Sequence, residues 1–243
     1  MTYAVGLLLD EGLVLAADTR TNAGFDNIAT FKKLHSWSIP GERVFVVLSA
    51  GNLAITQGVV SILSEGTLSL RKSAPSLFTV KTMYQAARLV GQAVREVRKI
   101  DGEALESNSE SFSAGFILAG QIADERPRLF QIYSAGNFIE ATFDTPYFQI
   151  GEHKYGKPIL DRVTDASMPL GKAAKLILLS FDSTLRSNLS VGMPIDLLVY
   201  NANSLKLERA RRIERDNEYF QKLSRDWSRS LRKAFTEIDD FDI

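Results

Sequence analysis

Thr2 stands one place after Met1, and that position can give a weak nucleophile a base of its own. If Met1 is removed, the threonine hydroxyl and the freed α-amine lie on adjacent carbons. An α-amine has an ordinary pKa of about 7.7–8.0, so a useful fraction is neutral near pH 7. It can take the hydroxyl proton directly or through one water, which activates the oxygen for attack. Such chemistry needs a terminus held in a site, so partners must be found elsewhere in the chain. Asp18 ends an apolar run, and Lys33 follows after a polar stretch. On spacing alone they fit a turn carboxylate and a surface lysine. Placed beside Thr2, the ammonium would stabilise the threonine oxyanion and lower the amine pKa by like-charge repulsion. Asp18 would keep that ammonium in place. Lys32 is adjacent, and strand alternation turns one lysine inward and one outward without saying which.

Two further segments offer polar support. Ser49-Ala50-Gly51 joins an apolar strand to a helix. The Gly51 N–H at the helix start could point at a developing oxyanion, and glycine lets a substrate carbonyl come close. Arg186-Ser187-Asn188-Leu189-Ser190 reads as a loop, in which Asn188 or Ser190 could orient the α-amine. Other chemistries are poorly supplied. There is no cysteine, and the two histidines, His35 and His153, read as structural. No metal or organic cofactor is expected.

These residues must be positioned by strands. Tyr3, Val5, Leu7 and Leu9 alternate, Asp10-Glu11-Gly12 turns, and Leu13–Ala17 continues, which predicts a hairpin. Thr19–Asn27 reads as a polar loop with Asn22 and Gly24 as loop residues. Strands follow at Lys33–Trp37 and Val44–Leu48. Helices are expected from Gly51 to about Leu63 and over Phe78–Ile100, then an exposed loop at Asp101–Ser113. Strands come next at Ala114–Gln121, Arg128–Tyr133, Phe138–Thr142 and Tyr147–Ile150. A short helix at Tyr155–Arg162 and a longer one at Leu170–Leu185 precede strands at Ile195–Tyr200 and Leu205–Ile213. Asp216 is expected to cap a last helix carrying Tyr219, Leu223, Trp227 and Leu231 at intervals of four. Asp239–Ile243 reads as an acidic tail. With no repeat or linker, residues 1–243 read as one α+β domain, a four-layer αββα sandwich of two antiparallel sheets.

Composition sets the class. The 243 residues are 45% hydrophobic, and 29 basic residues balance 29 acidic ones. Such a chain can bury a large core without disulfides, and its charge argues for neither a nucleic-acid nor a membrane partner. The first residues lack the pattern of a signal peptide. No stretch is long enough to cross a bilayer. A cytoplasmic protein is the expectation.

The assembled motifs resemble a proteasome β-type subunit: Thr2 with Val5-Gly6, Gly12 through Asp18-Thr-Arg20, Gly24, Lys32-Lys33 and Ser49-Ala50-Gly51. The wider text is similar to the bacterial proteasome-related group called Anbu, the ancestral β subunit. It includes Asp18–Gly24, Asp26–Lys33, Ile132–Ile139, Gln149–Pro158 and Ser187–Gly192, and the likeness extends over essentially the whole chain. The resemblance implies an N-terminal-nucleophile hydrolase of the αββα type. Thr2 would be nucleophile and base, Asp18 and Lys33 its charge partners, and Gly51 the oxyanion donor. Ser190 would support the terminus. Thr21 would bind substrate backbone, and Thr21, Ser49 and Leu53 would line the first specificity pocket, with Arg20 in a supporting place. Two departures stand out. Gly151-Glu152 occupies the place of a Gly-Ser-Gly turn, so Glu152 replaces a supporting serine. Arg186-Ser-Asn-Leu-Ser190 replaces an Arg-Asp-x-x-Ser pattern, so an aspartate is missing, and Glu152 with Asn188 could compensate.

The expected activity is therefore a threonine endopeptidase acting on peptides or unfolded proteins. The family implies a homo-oligomer of many subunits, as a ring or an open helical array. Two alternatives fit the same residues. One is an N-terminal-nucleophile amidase on a small or modified peptide. The other is a non-catalytic assembly protein in which Thr2 stays blocked.

Overall fold

The computed structural model describes residues 1–22, 28–66, 75–108 and 111–242. The N-terminal alternation forms β1 (Tyr3–Leu9) and β2 (Gly12–Asp18), paired with Ala4 opposite Ala17. After the short ribbon β3 (Arg20–Asn22) and β4 (Ile28–Thr30), the chain builds β5 (Leu34–Ile39) and β6 (Arg43–Gly51). Two helices follow, α1 (Leu53–Glu65) and α2 (Met83–Ser107). Strands β7 (Ala114–Ile122), β8 (Arg128–Ile132), β9 (Phe138–Glu140) and β10 (Tyr147–Gly151) come next. Helices α3 (Lys157–Val163) and α4 (Leu170–Ser187) lead to β11 (Ile195–Asn201), β12 (Arg209–Ile213) and α5 (Glu218–Glu237).

One sheet has the order β10-β1-β2-β11-β12 and the other β5-β6-β7-β8-β9, and every pairing is antiparallel. Strand alternation divides the apolar residues among three packed layers. Ala4, Leu13, Leu15 and Ala17 meet Val44, Val46, Leu48 and Ile117 between the sheets. Phe45 and Val47, on the opposite face of β6, pack under α1 and α2. Tyr3, Val5 and Leu7, on the opposite face of β1, pack under α3, α4 and α5 with Leu160, Ile177, Phe181 and Phe220. The result is the expected αββα sandwich. No helix among the described residues is long and apolar enough to cross a membrane.

Several sequence expectations need correction. Asn22 lies in β3 rather than a loop, while Gly24 and the rest of 23–27 lie outside the described residues. Helix α2 starts at Met83, because the Thr82 side chain accepts the Gln85 N–H at 3.1 Å and caps it. Ahead of it, the Arg43 guanidinium holds the carbonyls of Leu77 and Val80, so Phe78–Thr82 stays a turn. The same helix runs on to Ser107, well into the stretch read as an exposed loop. Buried Gly102 and core-packed Leu105 continue its apolar stripe beneath a polar surface. Leu205 has a left-handed φ of 47°, and β12 begins only at Arg209.

The last helix is capped by Asn217, one residue after Asp216: Asn217 Oδ1 accepts the Phe220 N–H at 3.0 Å. Removing an N-cap side chain costs about 1 kcal/mol. Asn217→Ala is therefore expected to lower stability in urea by about that amount, while Asp216→Ala stays near wild type. Equal losses from the two variants would contradict this assignment of the cap.

Candidate active site

Thr2 sits just before β1, at the edge of the inter-sheet layer, and is 7% exposed. Its backbone is held from two sides. The Glu152 N–H donates to the Thr2 carbonyl at 2.6 Å, and the next residue, Tyr3, donates its N–H to Asp18 Oδ1 at 3.0 Å. Gly151 makes the first contact possible. Its φ is +81°, and a Cβ there would stand 2.1 Å from the Thr2 carbonyl oxygen.

Asp18 is fully buried at the end of β2. Besides the Tyr3 N–H, it accepts the Lys33 ammonium at 2.9 Å and the Gly192 N–H at 3.2 Å. Lys33 also donates to the Arg20 carbonyl at 2.5 Å and lies 3.5 Å from the Met1 carbonyl oxygen. The ambiguity between the two lysines is thereby resolved: Lys33 faces inward and Lys32 is exposed. Burial pushes the Asp18 carboxyl up, against the pull of Lys33 and the two N–H groups. Burial likewise pushes the Lys33 ammonium down, against the pull of Asp18. The Met1 amine lies below its ordinary value, first through burial and then through the charge of Lys33, with Asp18 opposing.

Gly51 does not start α1 as the sequence suggested. It is the last residue of β6, and Asn52 caps the helix by accepting the Ala54 N–H at 2.9 Å. The register nevertheless leaves its N–H free of the ladder. Asn52 donates to Ser113 in β7's direction and Ser49 donates to Lys33 in β5's direction. Alternation then turns the Gly51 N–H toward β5, which has already ended at Leu34. The glycine backbone has φ +118°, and a Cβ would meet the Ser113 carbonyl oxygen at 2.3 Å.

Beside Thr2 lies a cleft of about 500 Å³, walled by Thr21, Ser49, Leu53 and Phe31, with Lys33 and Gly51 at its edge. Three of these walls, Thr21, Ser49 and Leu53, are the residues that the family resemblance implied for the first pocket. Phe31, Asn52 and Thr56 were missed; Phe31 lies inside the Asp26–Lys33 motif and Asn52 directly follows Gly51. A second cleft, of about 970 Å³, opens on the other side of Thr2 along Ser113, Gln149 and His153. His153, read as structural, thus borders the site.

The 186–190 segment also reaches the site. Asn188 donates to Glu152 Oε2 at 2.7 Å, and its Oδ1 accepts the Ser190 N–H at 2.9 Å. Ser190 therefore joins through its backbone. Arg20 donates to the Leu189 carbonyl at 2.9 Å and fastens this loop to β3. Burial raises the Glu152 carboxyl, but the Lys154 N–H, the Asn188 amide and the Lys154 charge outweigh it and hold it below its ordinary value.

Thr2 thus stands at one end of a two-sheet sandwich, beside the buried Lys33–Asp18 pair. The proteasome subunit family model matches residues 2–200, and the chain belongs to that family. Among solved structures, Anbu (Gly-1 mutant) from Hyphomicrobium sp. strain MC1 is 62% identical, with all of both chains covered and a TM-score of 0.93. The helical assembly of the Anbu complex from Pseudomonas aeruginosa is 47% identical, with 99% of this chain and 98% of that chain covered and a TM-score of 0.93. Proteasome subunit beta 2 of Pyrobaculum calidifontis is 27% identical over 214 residues, 84% of this chain and 91% of its own. The likeness to the Anbu group seen in the sequence motifs is thus borne out over the full chain.

Two outcomes follow from this geometry. Lys33→Ala leaves a buried, unpaired Asp18 and is expected to cost about 3–5 kcal/mol in chemical denaturation; a loss under about 1 kcal/mol, as for an exposed pair, would contradict it. Glu152 has a folded-state pKa below its unfolded value. Its stabilising contribution is present above the ordinary pKa of 4.5 and is lost as pH falls through the lower folded value. The stability gap between wild type and Glu152→Gln should therefore shrink below about pH 4.5. A gap that widens on acidification would contradict the shift.

Proposed function

We propose that the protein is a threonine peptidase working through Thr2 after loss of Met1. The observation that carries this reading is the Lys33 ammonium, fixed 2.9 Å from buried Asp18 at the edge of the cleft beside Thr2. A cation there favours the alkoxide over the hydroxyl and the neutral amine over the ammonium. Both changes prepare a threonine to attack.

In this scheme Thr2 Oγ adds to a peptide carbonyl lying in the cleft. The Gly51 N–H, unpaired in the ladder, faces the oxyanion. The Thr2 α-amine takes the hydroxyl proton and passes it to the departing amine, leaving an acyl ester on Thr2. Water adds to the ester carbonyl and loses a proton to the same amine; the acyl–Oγ bond then breaks, the amine returns that proton to Thr2 Oγ, and the acid is released. Asp18 holds Lys33; Glu152, whose N–H bonds the Thr2 carbonyl, and Asn188, bonded to the Glu152 carboxylate, orient the terminus in the absence of that aspartate. Thr21 carries the substrate backbone, and Ser49 and Leu53 meet its side chain. The helical assembly described for the Pseudomonas relative supports a homo-oligomer for this chain too.

A peptide electrophile is expected to add one label per chain, mapped to Thr2 by tandem mass spectrometry and absent from Thr2→Ala. Lys33→Ala should slow that labelling by about a hundredfold or more. Labelling elsewhere, or equal labelling of Thr2→Ala, would refute the reading. The pH profile is a separate check. The base must be neutral, so the rate rises with pH through the amine pKa. Like-charge repulsion from Lys33 is expected to hold the freed Thr2 amine, and hence that rise, below the ordinary range of about 7.7–8.0; a rise above it would contradict the assigned surroundings.

A further inference from the structure

Two clefts meet at Thr2. The first, of about 500 Å³, and the second, of about 970 Å³, share a border made of Met1, Thr2, Ala50, Gly51 and Asn52. Met1 lines both, so its loss lets one cleft run into the other at Thr2. In the proposed reaction the first cleft holds the half of the substrate that is acylated onto Thr2. The second has no part in that scheme. Its volume is at the upper end of the range of about 300–1,000 Å³ that holds a whole small ligand. A small departing amine needs far less.

Strand alternation explains why this space is open. Along β7, Ala114 and Phe116 pack under the helices, whereas Ile117 lies between the sheets. Gly115 therefore faces the layer between the sheets. Along β8, Phe130 and Ile132 pack under the helices and Leu129 lies between the sheets, so Gln131 faces the same layer as Gly115. Across from them, β10 contributes Ile150 to that layer. At the Thr2 end the apolar layer thus stops at a glycine and a glutamine, and both line the second cleft.

Neither residue is demanded by the fold. A Cβ on Gly115 would meet only Ile150 Cγ2 within 4 Å, at 3.9 Å, an ordinary contact. Gly115 is also absent from the left-handed glycines. Glycine inside a strand sacrifices packing, and it often marks the close approach of a ligand or another backbone. The Gln131 side chain makes no hydrogen bond among the described residues, although its amide offers both donors and an acceptor. Ser113, Ser134 and His153 add polar groups, and none of the lining side chains is a carboxylate, an ammonium or a guanidinium. Such walls suit the neutral N–H and C=O groups of a peptide main chain, which need partners once they leave water.

We propose, resting on the peptidase reading, that the second cleft binds the departing half of the substrate as an extended peptide segment. Its main chain passes over Gly115 and bonds the Gln131 amide. The substrate is then a chain that continues for several residues past the cut bond, rather than a small amide.

The test compares two pools of randomised peptides that share the residues before the cut. One pool stops one residue after it, and the other continues for several. Products are read by mass spectrometry, with circular dichroism as the check on folding. The longer pool should be cut with a kcat/KM about tenfold higher, the effect of one or two added hydrogen bonds. Gly115→Leu, which fills the cleft, should erase this gain, and Gln131→Leu should reduce it. Gly115→Ala, whose Cβ fits the open space, should keep it. Equal kcat/KM for the two pools, a gain that survives in folded Gly115→Leu, or cleavage of neither pool by protein that labels at Thr2 would overturn the proposal. Electrophile labelling of the same samples separates the two readings. Labelling at Thr2 without a gain removes only the role of the second cleft, whereas absence of labelling removes the peptidase reading and this one with it.

Discussion

The buried Lys33–Asp18 ion pair is the constraint around which the rest of the site is arranged. Two charges taken out of water are costly unless other groups satisfy them. Asp18 meets that requirement with two backbone N–H groups, from Tyr3 and Gly192, in addition to Lys33. Those donors come from β1 and from the segment before β11, so one carboxylate ties together three distant parts of the chain. Lys33 in turn bonds the Arg20 carbonyl and approaches the Met1 carbonyl. The N-terminal strand therefore cannot shift without uncovering the pair.

Strand registry supplies the second half of the site. The free Gly51 N–H is a consequence of where β5 stops relative to β6, not of a dedicated loop. Gly51 and Gly151 both hold left-handed backbone that a side chain would disrupt. They place a donor and the Thr2 carbonyl at the same end of the sandwich. The Glu152–Asn188 hydrogen bond adds a polar support next to the Glu152 N–H that holds the Thr2 carbonyl.

Much of this was legible in the sequence because strand alternation and buried apolar runs leave direct traces. The β1–β2 hairpin, the order of elements and the two faces of each sheet follow from residues such as Tyr3, Ala4 and Val5. What escaped was set by contacts distant in sequence. The start of α2 depends on Arg43 holding the turn before it, and its end depends on Leu105 reaching the core from a polar segment. Asn217 and Asp216 are equally good caps on paper, and only backbone geometry separates them. The choice between Lys32 and Lys33 likewise needed the position of Asp18. Phe31 and Asn52 carry no chemical signature that marks them as cleft residues. His153 drew attention only as a residue type, yet its place beside β10 brings it to the second cleft.

The central claim is that Thr2 acts as a free N-terminal nucleophile. The most direct measurement is the intact mass of the assembled protein from its own cells, with sequencing of its N-terminus. The expected result is a chain lacking Met1 and beginning at Thr2. Assembled protein that fully retains Met1 would contradict it, because the Thr2 nitrogen would then be an amide and could not serve as the base.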